Sequence, residues 1–318
     1  MKTLKMLFKQ DKEVFVVPKC VQDIIPVNKI WQDGVFQVGK NKFSKCYRFT
    51  DINYAVASRA DKEAMFLEYS ELLNSFDTGA TTKITILNRR LNKVDFEKNI
   101  LLPLAEDNLD EYRKEYNKML LDKGTGANGI TQEKFLTISV NKKSVEEARN
   151  YFGRIGADLS AHFSQLGSKC IELDAVDRLR MFHDFYRAGE ENSFTFDFIQ
   201  NMRKGHSFKD FICPDTMEFE SDYFKMGNKY GRVIFLKEYA SYIKDNMVAE
   251  LTDLNRNMMM SIDVVPVPMD EAVREVENRR LGVETISRIG KDDKTLIIIL
   301  VQLFLMIWNN KEMNQKSF

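Results

Sequence analysis

Two glycine patterns in this chain carry the residue types of nucleotide chemistry, and both stand in the wrong context for it. Gly34-Val35-Phe36-Gln37-Val38-Gly39-Lys40-Asn41 has the GxxxxGK spacing of a phosphate-binding loop, but Asn41 stands where a Ser or Thr hydroxyl should reach Mg²⁺. Such a loop also needs a helix behind it, so that unpaired backbone N–H groups and the helix dipole face the phosphates. Phe43 to Phe49 continue instead in an alternating strand pattern, which predicts a hairpin turn over Gly39 to Lys42. Gly124-Thr125-Gly126-Ala127-Asn128-Gly129 matches GxGxxG, yet it follows a helical pattern and precedes a strand, the reverse of the dinucleotide-binding order. A flexible turn is the simpler reading, because glycines tolerate positive φ.

His162, His183 and His206 are the only histidines. His162 continues the apolar face of its helix, and His183 lies among Phe182, Phe185 and Tyr186 with Asp184 beside it. A general base needs a positioned nucleophile, which the sequence does not supply, so both read as packed helical histidines. Cys20, Cys46, Cys170 and Cys213 are scattered singly, without a CxxC pair or a neighbouring histidine to complete a zinc set. No catalytic residue, metal or cofactor is expected.

One constellation remains. Arg178, Arg180, Arg187, Arg203, Lys204 and Lys209, with Phe182, Phe185, Tyr186 and Phe208 among them, have the types of a basic surface that stacks single-stranded bases. Asp174, Asp177, Asp184, Glu190 and Glu191 are interleaved with them, which favours a solvated, salt-bridged face. These six residues form the candidate nucleic-acid or partner surface. Met258-Met259-Met260 leads into a strand and reads as adaptable core packing.

The elements that must position these groups follow from periodicity. Strands are expected at Glu13 to Val17, Gly34 to Val38, Phe43 to Phe49, Thr82 to Leu87, Phe135 to Val140, Cys170 to Leu173 and Met258 to Val265, the last ended by Pro266 and Pro268. Phe219 to Met226 and Lys229 to Leu236 flank Gly227-Asn228, a two-residue hairpin turn. Helices are expected at Ala60 to Phe76, Leu104 to Leu121, from Val145 onward, Ala175 to Tyr186, Tyr242 to Leu254 and Asp270 to Arg280. Ser144 and Glu147 make a capping box for the third of these, and Val145, Ala148, Phe152, Ile155, Leu159 and Phe163 recur on its face.

Hairpins and mixed elements without even βα repeats predict an α+β fold with mixed, largely antiparallel sheets and packed helices in two lobes. The lobes are expected over residues 1–190 and 191–285, with the boundary around Glu190-Glu191-Asn192-Ser193. The 47 basic residues balance 47 acidic ones, so no global field draws in nucleic acid or an acidic membrane. The start lacks the apolar core of a secretory signal, and the apolar run Leu296 to Trp308 falls short of the about 20 residues that a span needs. A cytoplasmic protein is expected.

Four segments carry a family resemblance: DINYAVAS (Asp51 to Ser58), Leu173 to Glu191, Phe208 to Asp245, and Ser261 to Thr285. They resemble the conjugation ATPases of type IV secretion systems, the CagE/TrbE/VirB family, in the branch carried by integrative conjugative elements of Gram-positive bacteria. The resemblance spans residues 1 to 285. It implies a non-catalytic docking and assembly domain at the inner face of the cell membrane, held there by protein components of the secretion channel and truncated before the RecA-like motor. Self-association is a further expectation, and a nucleic-acid-binding accessory protein of conjugal transfer is the alternative. Residues 286–318 depart abruptly in composition and are expected to be a frameshifted tail, poorly packed or sticky. A one-base shift through permitted codons turns the tail into a polar string resembling the family's continuation.

Overall fold

The computed structural model describes residues 18–77, 79–90, 100–126, 130–235, 246–254, 256–266, 273–274 and 299–309. Its helices are α1 (Val21–Ile24), α2 (Arg59–Asn74), α3 (Asp110–Gly126), α4 (Val145–Gln165), α5 (Ala175–Tyr186), α6 (Phe198–Lys204) and α7 (Met247–Thr252). The strands are β1 (Lys29–Ile30), β2 (Phe36–Gln37), β3 (Lys42–Phe49), β4 (Ala80–Arg90), β5 (Ile130–Asn141), β6 (Cys170–Glu172), β7 (Met217–Phe219), β8 (Phe224–Met226), β9 (Lys229–Phe235), β10 (Asn257–Pro266) and β11 (Ile299–Asn309).

The strands join in the order β1-β2-β3-β5-β4-β10-β11-β9-β8-β7, with β6 added to β3. Every described pairing is antiparallel, so the fold is α+β with an antiparallel sheet. Strands from before and after Glu190 share this sheet, since β10 pairs with β4 from Met258↔Asn88 to Val264↔Thr82. The expected boundary at Glu190 to Ser193 contains a single 3-10 turn, Glu191–Ser193, a few residues after α5.

The main core forms where α4 crosses the sheet. Its 3.6-residue period brings Ala148, Tyr151, Phe152, Ile155, Leu159 and Phe163 to one buried face, packed with Phe43, Tyr47, Leu136, Ile138 and Val140. Each large side chain so buried contributes about 2 kcal/mol relative to exposure. Ser144 Oγ accepts from Glu147 N at 3.2 Å, as the capping box predicts, but the Glu147 carboxylate reaches Lys143 N at 3.2 Å, one residue earlier than expected. His162 sits at the edge of this face and its Nδ1 meets Glu68 Oε1 at 2.8 Å, joining α4 to α2. Helix α2 itself departs from expectation. Only Leu72 and Leu73 are buried, while Phe66 and Leu67 stay exposed, because the helix meets the core with its last turn alone.

The Gly227 hairpin is present: Met226 pairs with Lys229 and Gly227 has φ +55°. The strand expected over Phe219 to Met226 is two strands, because Glu220 N bonds Tyr223 O at 2.9 Å and folds Glu220-Ser221-Asp222 into a turn between β7 and β8. Helix α3 starts later than expected, since Asp110 accepts from Ala105 N and Glu106 N and closes the preceding loop. It also runs through Gly124 to Gly126, so the first half of the GxGxxG match is helical; residues 127–129 lie outside the described residues. The strand expected at Glu13 to Val17 and nearly all of the helix expected at Asp270 to Arg280 also lie outside the described residues.

Backbone pairing reaches into the tail. Strand β11 lies between β10, from Pro266↔Ile299 to Asn257↔Trp308, and β9, from Phe235↔Phe304 to Tyr230↔Asn309. Where poor packing is expected from composition, the backbone of Ile299 to Asn309 is hydrogen-bonded along the sheet. An apolar run of strand length satisfies its peptide groups by pairing.

Candidate docking site

Gly39 and Lys40 lie in the connection between β2 and β3. Val38 N bonds Lys42 O at 2.9 Å and the Gln37 side chain reaches Lys40 O at 2.8 Å, so a strand follows, as the hairpin reading predicts. Among the described residues it is strand β3, and not a helix, that follows Lys40.

The six predicted basic residues do not share one surface. Arg178 is buried, only 2% exposed, and its guanidinium donates to Gly34 O at 2.7 Å, Ser44 O at 2.8 Å and Ser44 Oγ at 3.1 Å. It lies 3.9 Å from the centroid of the Phe36 ring. Burial lowers its pKa to about 10, which still leaves it charged at neutral pH. Helix α5 puts Arg178 on its buried side because the neighbouring apolar positions, Ala175 and Leu179, face the same core. Surface placement is therefore corrected for this residue: sequence reads an arginine as solvated unless buried acceptors are visible, and these come from residues 34 and 44.

Arg187 is tied by Nε to Cys213 O at 2.7 Å and pairs with Glu190 at 3.0 Å and Asp215 at 2.7 Å. Lys209 Nζ donates to Gln22 O at 3.0 Å and Ile25 O at 2.9 Å, closing the end of α1. Arg180 is exposed and stands 5.5 Å from the Phe194 ring. Arg203 and Lys204 fall at the end of α6, at positions for which the backbone alone is described.

The structure does bring a serine to His183. His183 Nε2 stands 3.2 Å from Ser193 Oγ, and Nδ1 stands 3.4 Å from Asp184 Oδ1. The order resembles a Ser-His-Asp relay, but the polarity of the bonds is wrong for one. Ser193 Oγ donates to Glu190 O at 2.7 Å, so its proton is committed to a local turn and the histidine serves as donor to the hydroxyl. Asp184 in turn pairs with Arg89, which also meets Glu133 at 2.5 Å, so this chain of charges ties α5 to β4 and β5. Sequence could not foresee the pairing, because Ser193 lies beyond the end of α5.

A concave site sits beside Lys209. A pocket of about 380 Å³ has walls of Trp31, Phe196, Phe198 and Phe208. Asn28, Lys29, Asn201 and His206 supply its polar groups, and Ile30 completes the lining. Among the described residues, Lys29 and His206 are the ionisable groups of that lining, and both are exposed. The Asn201 side-chain nitrogen is buried and has no hydrogen-bond partner among the described residues.

Local chemistry positions each wall. On one side, Trp31 N bonds Val35 O at 3.0 Å and Gly34 N bonds Trp31 O at 2.9 Å, closing a turn in which Gly34 has φ +79°. A Cβ at Gly34 would run into the Leu173 carbonyl, so the turn also needs glycine for close approach. On the other side, Asp197 Oδ1 accepts from Gln200 N at 2.8 Å and starts α6, while Ser207 Oγ accepts from Lys209 N at 3.3 Å and starts the turn that carries Phe208. Beneath both lies the core of Ile25, Val27, Phe36, Leu179 and Ile212. Of these groups, sequence reading singled out Phe208 within the basic surface and left His206 without a role; Trp31, Phe196 and Phe198 carry no periodic signal.

Among the described residues no group of three or more His, Cys, Asp or Glu is placed to hold a metal, and no helix is long and apolar enough to cross a membrane. No protein-family model matches the chain, and a search of the curated proteins finds no match either.

Proposed function

We propose that this chain is a docking and assembly domain of a conjugative type IV secretion ATPase, acting through protein contacts and separate from the motor that hydrolyses ATP. The observation that carries this reading is the resemblance of Asp51 to Ser58, Leu173 to Glu191, Phe208 to Asp245 and Ser261 to Thr285 to that family. Its support in the fold is that two of these segments build common cores. Leu173 and Phe185 pack with Phe224 and Met226, and Ala175 and Leu179 pack with Ile212 and Cys213. An open aromatic pocket beside that unit is the kind of concavity that takes an anchoring side chain of a partner. With balanced charge, the domain would reach the inner face of the membrane through protein components of the channel.

Binding to single-stranded nucleic acid is the weaker reading. Three of the six candidate cations, Arg178, Arg187 and Lys209, hold parts of the fold together instead of forming a continuous basic track.

The test is competition in a living donor. Expressed in a cell that carries an intact transfer system of this family, a docking domain without a motor should occupy the motor's place and lower transfer frequency. Unchanged transfer with the folded chain present at high level would count against the reading. Sequencing the gene past the codon for Thr285 tests the frameshift separately: an adjacent reading frame that runs on through a P-loop is expected.

A further inference from the structure

We infer that the pocket between Trp31 and Phe208 is the docking site itself, and that its occupant is an acidic peptide segment of a partner protein anchored by one aromatic side chain. This deepens the docking role above and rests on it.

Three observations choose the occupant. Trp31, Phe196, Phe198 and Phe208 form walls around about 380 Å³, within the range of small-ligand pockets and enough for one large aromatic side chain with its flanking backbone. Aromatic residues buried in such pockets dominate binding energy at protein interfaces. Among the described residues the charge of the rim is one-signed: Lys29 and His206 are its ionisable groups, and no carboxylate of those residues lines the pocket. A partner segment with Asp or Glu beside its anchor meets that sign, and one with Lys or Arg is repelled.

Asn201 adds a polar requirement: its amide nitrogen is buried and, among the described residues, has no acceptor, which a partner can supply. A peptide carbonyl following the anchor residue is an acceptor of the right kind. Bases of single-stranded nucleic acid offer acceptors too, but strand binding needs cations in series along a groove, and Lys209 beside this site is spent on the Gln22 and Ile25 carbonyls.

The probe is the acetylated and amidated pentapeptide Glu-Glu-Trp-Glu-Glu, titrated into the full chain and followed by amide chemical shifts. It should bind about tenfold more tightly than Lys-Lys-Trp-Lys-Lys or Glu-Glu-Ala-Glu-Glu, with shifts gathered on residues 28–31 and 196–208. Lys29→Glu with His206→Glu changes two exposed side chains and should weaken binding of the acidic peptide by about tenfold while leaving far-ultraviolet circular dichroism unchanged. Equal affinity for the acidic and basic peptides, shifts elsewhere, or oligo-dT binding in place of the peptide would each overturn the inference. The donor-cell experiment keeps it apart from the docking role. If the double variant still lowers transfer as the wild-type chain does, the pocket is wrong and the docking role stands; if neither lowers transfer, the docking role falls.

Discussion

The guanidinium of Arg178 donates to the Gly34 carbonyl at 2.7 Å, and so a residue in the first turn of α5 holds the turn that presents Trp31 to the pocket. The same side chain satisfies Ser44 O of β3 and stacks on Phe36. One buried cation thus fastens a helix, a turn and two strands. Arg178→Met removes the charge but strands two buried carbonyls, and should cost about 3 kcal/mol in urea unfolding. Arg178→Lys should recover little, because a single ammonium cannot reproduce the fork and the stacking together. Unchanged stability in Arg178→Met would show that the buried contacts add nothing net.

How much of this was legible from sequence divides along range. Helices α4 and α5 could be read because their period is local, as is the Ser144 cap of α4; the Asp174 cap of α5 is seen only in the structure. The hairpin at Gly227 could be read for the same reason. The pocket could not. Strand β1 is only Lys29–Ile30, too short for a period, and Phe196 and Phe208 meet it across more than a hundred and sixty residues of chain. Likewise Arg178, Arg187 and Lys209 look alike in a string of letters. What separates them from surface cations is the set of carbonyls at Gly34, Cys213 and Ile25, which only the folded chain assembles.

Alkaline pH should destabilise the protein from about pH 9. Burial pushes the Cys170 and Cys213 thiols up from 9.0 to about 11, and the Tyr151 and Tyr186 hydroxyls from 10.0 to about 12. The fully buried Cys46 thiol is raised in the same direction. For each, the unfolded chain loses its proton first, so the stability present below the unfolded value is lost as pH rises through the folded one. Arg178 runs the other way: lowered by burial from 12.5 to about 10, it adds relative stability only above that pH. Between pH 9 and 10 the cysteines act largely alone. Thermal melts should therefore show a falling midpoint across that interval, and Cys170→Ala with Cys213→Ala should flatten the slope. A midpoint that rises from pH 9 to 10 would contradict this.

The purified chain should not turn over ATP or ester substrates through the sites that mimic catalytic motifs. Lys40 sits in a connection that leads from strand to strand, where a phosphate cradle needs a helix to follow, and the Ser193 proton is given to Glu190 O. Phosphate release in the presence of Mg²⁺ and hydrolysis of p-nitrophenyl acetate are the measurements. Turnover abolished by Lys40→Ala in the first, or by Ser193→Ala in the second, would reverse the corresponding assignment.

Truncation after Thr285 tests what β11 does in the sheet. In the full chain, Ile299 to Asn309 occupies the space between β10 and β9 and pairs with both. Strand β9 belongs to the β7-β8-β9 meander, and β11 is its ladder connection to β10 and β4. Without it, two rows of backbone N–H and C=O groups lose their partners, and unpaired edges of this kind recruit other chains. The 1–285 chain should therefore run as a dimer or larger by light scattering, and the segment Met217 to Phe235 should be cut sooner in limited proteolysis. The result bears on the frameshift as well. A foreign tail that nonetheless fills the gap would stabilise the fold by backbone pairing alone, which depends little on side-chain identity. Replacing Ile299 to Asn309 with an unrelated strand of alternating Val and Thr should then restore the monomer and the protection of Met217 to Phe235. Monomeric 1–285 with unchanged proteolysis would mean that β9 and β10 do not depend on β11.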